Sequence, residues 1–266
     1  MTLEYNNKTV WITGASSGIG RALAKKFSTE NANLILSSRN ISELKNLKSE
    51  LQNDNNKVVI EALDLTKQDS FKEIVDRVIA KFGTIDLLIN NGGISQRSLV
   101  EETDLIVDRK LMEVNFFGTV ALTKAVLPHM LKQGGGQIAV VTSVVGKFGF
   151  PLRSAYSASK HALQGFFDTL RAETQDRGIK VSIIIPGRIK TNISVEAIVA
   201  DGSTHGKMDA GQEKGMGVEE AAEKMFTGLQ KEKKEILVGR KELIMVMIRR
   251  FFPFLYYRLA SKVRAT

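Results

Sequence analysis

The apolar run Lys8-Thr-Val-Trp-Ile-Thr13 passes directly into Thr13-Gly-Ala-Ser-Ser-Gly-Ile-Gly20, which opens a helical pattern over Arg21–Glu30. A strand, a glycine-rich turn and a helix in immediate succession restrict the fold more than any other stretch. The helix must pack back on its strand and return the chain to the start of a parallel neighbour. Glycines at 14, 18 and 20 let the backbone approach an anion such as a pyrophosphate at the helix N-terminus, where free N–H groups and the dipole favour negative charge. Three glycines also fit an ordinary turn; the strand before and the helix after are what nucleotide binding requires.

The same rhythm continues. Strand patterns at Asn33–Ser38, Lys57–Ala62 and Asp86–Asn90 alternate with helical ones at Ser42–Asn53 and Lys67–Phe82, so four strands and their helices occupy roughly the first 90 residues. This βαβ order predicts an α/β fold: a doubly wound, Rossmann-like parallel sheet in three αβα layers. A helix is expected from about Leu105 through Asn115 to Leu131, then a buried strand at Ile138–Val141 and a helix at Ser154–Arg171. Strand Lys180–Ile185 ends in the turn Pro186–Thr191. Residues 192–217 are loop-rich, and their apolar members Ile193, Val195, Ile198, Val199 and Met208 favour a substrate lid over a solvated linker. Helix Val218–Lys231 and strand Glu235–Val238 complete the sheet. One domain over 1–240 is expected, followed by a helical extension over 241–266.

Chemistry concentrates around the Ile138–Val141 strand and the helix after it. Ser143 stands just past the strand's carboxyl end, where open parallel sheets bind ligands. Tyr156 and Lys160 fall one helical turn apart on one face. A phenol near pKa 10 needs a fixed positive charge to exchange protons at neutral pH. A lysine at ~6 Å in an effective dielectric near ~20 favours phenolate by on the order of 3 kcal/mol, about two pKa units. Tyr and Lys four apart also occur in ordinary helices. Arg39, in Ser38-Arg39-Asn40, stands where an NAD site usually places an acid, and points to a 2′-phosphate; an arginine on a solvated loop is the alternative. Asp64-Leu65 suits an adenine-edge contact, although Asp64 could instead cap the next helix. Asn115 lies in an apolar stretch and needs partners: it either satisfies a backbone kink or holds a water near Lys160.

Composition removes several classes. The 266 residues include no cysteine and 3 histidines, which excludes thiolate chemistry and disulfides and leaves no metal site expected. The net charge of +9 is a tail effect, since residues 231–266 carry ten Lys/Arg against three Asp/Glu and the rest is nearly balanced; no nucleic-acid groove is expected. A strand-like segment by about Lys8 leaves no room for a signal peptide, so a cytoplasmic location is expected. The extension is too interrupted by Arg249, Arg250, Pro253 and Arg258 to span a bilayer; it is expected to meet a membrane surface, a subunit or the active site.

TGASSGIG at 13–20, NNGG at 90–93, Asn115, Ser143, YSASK at 156–160 and PGRIKT at 186–191 stand in the order of the short-chain dehydrogenase/reductase superfamily, which the chain resembles over residues 5–240. It departs at Gly92, where that family usually has alanine. The stretch 191–209 and the apolar tail resemble a membrane-associated animal branch, whose N-terminal membrane segment this chain is not expected to carry. The resemblance implies Tyr156 as acid/base, Lys160 as its partner and ribose ligand, Ser143 as the carbonyl-orienting hydroxyl and Asn115 as the water-holding residue. It implies that Gly14, Ser16, Ser17, Gly18, Ile19, Gly20, Ser38, Arg39, Asp64, Leu65, Asn91 and Gly92 line NADP, with Pro186, Gly187, Ile189 and Thr191 at the nicotinamide. The resemblance and the bulky apolar extension together imply an NADP-dependent enzyme on a lipophilic ketone or secondary alcohol; a homodimer or homotetramer is implied by the family alone. The alternatives are a 3-oxoacyl-thioester reductase, against which the bulky extension argues, and a non-catalytic NADP sensor, which would not need Ser143, Tyr156 and Lys160. A serine hydrolase lacks its Gly-x-Ser-x-Gly elbow.

Overall fold

The structure is a computed structural model describing residues 2–53 and 55–260. Its central strands are short and buried on both faces, the pattern of a parallel sheet covered by helices on each side. They are β1 (Thr9–Thr13), β2 (Asn33–Ser38), β3 (Val58–Ala62), β4 (Leu87–Asn90), β5 (Gly136–Val141), β6 (Ile179–Pro186) and β7 (Glu235–Val238). They pair in the order β3-β2-β1-β4-β5-β6-β7, and every pairing is parallel. The winding reverses between β1 and β4, which opens a crevice outside the carboxyl ends of the strands.

The helices are α1 (Gly18–Thr29), α2 (Ile41–Leu51), α3 (Phe71–Phe82), α4 (Leu105–Met112), α5 (Gly118–Lys132), α6 (Ser154–Thr174), α7 (Ala210–Glu213) and α8 (Val218–Gln230). The period-two alternation of β1 divides the core. Val10 and Ile12 join Phe27 of α1 and Phe226 of α8 in one layer, while Trp11 joins Phe71 of α3, Leu122 of α5 and Phe167 of α6 in the other. In α3 the buried residues Phe71, Ile74, Val75 and Val78 recur at helical spacing and form its inward stripe.

Two boundaries differ from expectation for local reasons. Helix α3 starts at Phe71 rather than Lys67, because the Asp64 carboxylate accepts from the Thr66 N–H at 3.0 Å and the Thr66 hydroxyl at 2.8 Å. Asp64 therefore closes its own turn and is not the cap of α3. The expected single helix from Leu105 to Leu131 is divided by a π turn at Glu113–Phe117, centred on Asn115. Gly118 follows it, packed so closely on the Leu65 carbonyl that no Cβ would fit.

Beyond β7 the chain forms a short 3-10 turn and then α9 (Ile244–Phe251) and α10 (Pro253–Ala260). The inner face of this extension, Met245, Val246 and Ile248, packs on the core, and the Tyr256 hydroxyl donates to the Gly149 carbonyl at 2.5 Å. The expectation for positions 261–266 lies outside the described residues. Among the described residues no helix is long and apolar enough to cross a membrane.

Candidate active site

The crevice begins at the turn between β1 and α1. Gly14 and Gly18 have φ of +64° and +50°, conformations that side chains rarely adopt. A Cβ on Gly14 would approach the Gly92 Cα and Asn91 Nδ2 to 2.9 Å, and one on Gly18 would meet Thr191. The chain is thus folded so that only bare backbone forms this wall. Thr13 ties it to the β4 turn: its hydroxyl accepts from the N–H groups of Asn91 at 3.0 Å and Gly92 at 2.9 Å. Asn91 Nδ2 in turn donates to the Thr13 carbonyl at 3.0 Å.

Around this wall lies a cavity of about 580 Å³ that includes Gly14, Ser16, Ser17, Gly18 and Ile19, then Ser38 and Arg39 at the end of β2. Asp64 and Leu65 past β3, with Asn91 and Gly92 past β4, complete that half. Arg39 is exposed at the rim, and its charge helps hold the Asp64 carboxyl below its usual range, behind the larger effect of the Thr66 N–H. Gly20 has a different place from the one expected. It is buried beneath the turn, where a Cβ would collide with the Gly14 carbonyl, so it serves close packing of α1 on β1. The shape suits a dinucleotide: a glycine cradle a side chain would fill, at a helix N-terminus, continuous with a reaction cavity through Ile19, Asn91 and Thr191.

The second cavity, about 640 Å³, brings together Ser143, Tyr156, Lys160, Pro186, Gly187, Ile189 and Thr191. Ser143 is held past β5 by a bond from the Val145 N–H at 3.3 Å, and its hydroxyl also hydrogen-bonds the Tyr156 phenol. Lys160 donates to the Val141 carbonyl at 2.9 Å and lies 5.8 Å from the centroid of the Tyr156 ring. Both groups are deeply buried. Burial pushes Lys160 down to about 8 and, outweighing every other influence, pushes Tyr156 above its ordinary value. The two side chains stand on one face as expected, but the expected lowering of the phenol toward neutral pH is not seen, because desolvation acts on it more strongly than any neighbouring charge or hydrogen bond.

Asn115, wholly buried, is not on the cavity wall. Its Oδ1 accepts from the Ile94 N–H at 2.8 Å, and its Nδ2 donates to the Ile94 carbonyl and to the Ser159 hydroxyl, both at 3.0 Å. The side chain therefore satisfies the distorted backbone of the π turn and the β4 loop. It still neighbours Lys160, because a Cβ on Gly93 would come within 2.9 Å of Asn115 Oδ1 and 3.5 Å of Lys160 Nζ.

Three charged residues at the far end of this cavity escaped the sequence reading. Arg97, in the loop after β4, donates from Nε at 2.9 Å and from an Nη at 2.7 Å to Asp209 Oδ2. Arg153, the residue before α6, donates to the same oxygen at 2.8 Å. The Arg97 and Asp209 side chains are 3% and 4% exposed, so this is a buried cluster carrying an excess positive charge. The partners lie 112 and 56 positions apart, which leaves no local pattern to find them by.

Asp209 belongs to the 192–217 segment, which is folded over the cavity. Its Ile198 bridges Gln96, and the Arg97 N–H donates to the Ile198 carbonyl at 2.8 Å. Ile193 lines the crevice and Ile198 enters the core, whereas Met208 is exposed. The extension closes the remaining side with Lys241, Glu242 and Met245. Glu242 Oε1 accepts from the Arg188 N–H at 2.8 Å, fastening the extension to the turn after β6.

Residues 8–200 match the family model described as short chain dehydrogenase. Dehydrogenase/reductase SDR family member 7B of Mus musculus is 43% identical over 264 residues, which cover 97% of this chain and 82% of the mouse protein. A short-chain dehydrogenase/reductase from Burkholderia phymatum, solved in complex with NAD, shares the fold with a TM-score of 0.85 at 24% identity, covering 95% of this chain and 96% of that one. An alcohol dehydrogenase from Thermococcus sibiricus, complexed with 5-hydroxy-NADP, superposes with a TM-score of 0.75 at 28% identity over 88% of this chain and 97% of its own.

Proposed function

This chain belongs to the short-chain dehydrogenase family of oxidoreductases, and we propose that it uses NADP to interconvert a carbonyl and a secondary alcohol on a lipophilic substrate. The observation that carries this reading is the Ser143 hydroxyl bonded to the Tyr156 phenol, with Lys160 one turn away, in a cavity that runs into the glycine cradle. Gly14, Ser16, Gly18, Ile19 and Asn91 would hold the dinucleotide, with Pro186, Gly187, Ile189 and Thr191 around its reactive end. Bound there, NADP(H) gives or accepts the hydride. The Tyr156 phenol passes a proton to or from the substrate oxygen, while the Ser143 hydroxyl orients that oxygen. Lys160 braces the phenol and the ribose side of the site, and Asn115 fixes the backbone beside Lys160.

Arg39, with Ser38 at the same rim, supports NADP over NAD, since its guanidinium suits a 2′-phosphate where an acidic residue would repel it. The apolar wall of Phe148, Phe150, Ile193 and Met245 supports a lipophilic substrate over a 3-oxoacyl thioester. The test is NADPH consumption across lipid and steroid ketones, quinones and 3-oxoacyl thioesters. Turnover of an apolar ketone is expected; thioester reduction with no ketone turnover would contradict the substrate class.

Two surface features support finer parts of the proposal. On the outer side of the extension Met247, Phe251, Phe252, Phe254 and Tyr257 are exposed beside Arg250 and Arg258, which supports peripheral attachment to an anionic lipid surface from the cytoplasm. Phe251→Glu with Phe254→Glu should then abolish co-sedimentation with anionic vesicles; unchanged binding would contradict it. Exposed Val100, Leu105, Ile106 and Phe117, around α4 and the π turn, support pairing with a second copy. A strictly monomeric sedimentation profile would contradict that pairing.

A further inference from the structure

Helix α6 carries Tyr156, and the first N–H groups of any helix have no partner within it. A serine, threonine, aspartate or asparagine just before the helix usually accepts from the second or third of them. Arg153 holds that place, has no acceptor on its side chain and makes no capping bond. The helical ladder opens where the Ser157 N–H donates to the Arg153 carbonyl at 2.8 Å. Ala155 and Tyr156 are therefore the second and third positions, whose N–H groups need an acceptor from elsewhere.

Gln96, in the loop after β4, supplies it. Its Oε1 accepts from the Ala155 N–H at 3.0 Å and the Tyr156 N–H at 3.2 Å. The side chain is wholly buried, and its Nε2 is fixed by three hydroxyls, those of Ser98 at 3.1 Å, Ser154 at 3.2 Å and Thr103 at 3.4 Å. The same loop clamps the approach to the helix: the Ser98 N–H donates to the Leu152 carbonyl at 3.2 Å, and Leu152 is bent to a φ of +63°, which side chains rarely adopt. Backbone pairing ties the loop to the lid as well. Gln96 bridges Ile198, the Ile198 N–H donates to the Ser95 carbonyl at 2.9 Å, and the Arg97 N–H donates to the Ile198 carbonyl at 2.8 Å.

We infer that Gln96 is a positioning residue for proton transfer: it caps the catalytic helix from a distant loop and so fixes where the Tyr156 phenol stands. The phenol meets the Ser143 hydroxyl, which is set independently, past β5, by the Val145 N–H. Their alignment therefore depends on two anchors, and Gln96 is the one on the tyrosine side. The rest of the first turn is held elsewhere, since the Ser157 hydroxyl donates to the Val145 carbonyl at 2.5 Å. Loss of the cap should displace the Tyr156 backbone without releasing the helix. Through Ile198 the lid backs the glutamine, so the segment that covers the cavity also supports the group that reacts in it.

The inference rests on the proposal that Tyr156 transfers the proton. Gln96→Met keeps the length of the side chain and removes the acceptor. Well below its unfolding temperature, and with an apolar ketone that the wild type reduces, this variant should lose about ten- to a hundredfold in kcat, the scale of a small misplacement of a reacting group. KM and the NADPH dissociation constant should stay near wild type. Amide hydrogen exchange at Ala155 and Tyr156 should quicken by about tenfold or more, while Leu163 to Leu170, deeper in α6, keep their protection. Gln96→Glu retains the oxygen, and the three hydroxyls can turn to donate to it, so it should recover most of both readouts. Unchanged exchange at the two amides would overturn the inference by removing the cap. Quickened exchange with wild-type kcat would overturn it too, by making the cap purely structural, as would a change confined to KM or NADPH binding. If Gln96→Met fails to fold, Gln96→Asn, whose acceptor falls one methylene short, carries the same predictions. A wild-type chain that reduces no ketone would refute the proposed function, while exchange at the two amides would still report the cap.

Discussion

The glycine cradle and the arginine–aspartate corner stand at opposite ends of one crevice and are built in opposite ways. The cradle is a contiguous run, residues 13–20, in which backbone does the work through positive φ angles, free helix N–H groups and the absence of side chains. The corner takes Arg97 from one loop, Arg153 from the start of a helix and Asp209 from the lid, and it works by side-chain charge held away from water. Binding a constant anion needs only a local shape. A buried cluster of charges has to be gathered from distant parts of the fold.

Four measurements break or sharpen this contrast. The largest effect is expected at the junction of the two ends. Tyr156→Phe should lower turnover by about 10²–10⁴-fold, the usual value of a positioned proton donor, with NADPH affinity retained. Retained turnover would separate the phenol from the chemistry.

Lys160→Met should change stability in a pH-dependent way. The folded chain releases the Lys160 proton near 8, whereas the unfolded chain keeps it to 10.5, so wild-type stability rises with pH across that window and is reduced below it. At pH 7 the variant should be more stable by up to about 3 kcal/mol, and the difference should shrink as pH rises from 8 toward 10.5. Denaturant unfolding at both ends of the window checks this; a constant difference would contradict it.

Gly14→Ala tests the backbone argument. Its Cβ would be forced against Gly92 at a φ of +64°, so a stability loss of about 1–3 kcal/mol and weakened NADPH binding are expected in thermal and fluorescence titrations. Wild-type affinity would show that the cradle does not touch the nucleotide. The smallest effect is at the rim, where Arg39→Asp should lower the preference for NADP over NAD by about ten- to a hundredfold, as expected for loss of a charged hydrogen bond. An unchanged ratio of the two dissociation constants would assign Arg39 to solvent.

What could be read in advance follows the same division. The seven-stranded parallel sheet was legible because its apolar strands and amphipathic helices alternate without interruption, and the turn at 13–20 because its glycines, strand and helix are adjacent. Tyr156 and Lys160 were legible as a pair one helical turn apart. Asp64 read from sequence as an adenine-edge contact or a helix cap; the structure sets it on the cavity wall, closed on Thr66 in its own turn, and that bond is local enough to have left both readings open. A backbone kink at Asn115 was one of two readings of that buried amide, but its form, a π turn, depends on the Ile94 backbone and on Leu65, both remote in sequence. Gly20 shared the motif of its neighbours but is used for packing, a difference visible only once the helix is placed on the strand. The extension's double character, an inner face on the cavity and an outer face in solvent, likewise depends on how α9 and α10 are laid down.

The central claim is that the crevice joins hydride transfer from the cradle to proton transfer by Tyr156. It is tested most directly by supplying NADPH deuterated at the transferring carbon, together with a lipophilic ketone, and following the isotope into the product by mass spectrometry. The account predicts an alcohol with deuterium on its carbinol carbon from the wild-type chain, and a rate at least about a hundredfold lower from Tyr156→Phe. An alcohol without deuterium, or labelling at the same rate by both proteins, would contradict it.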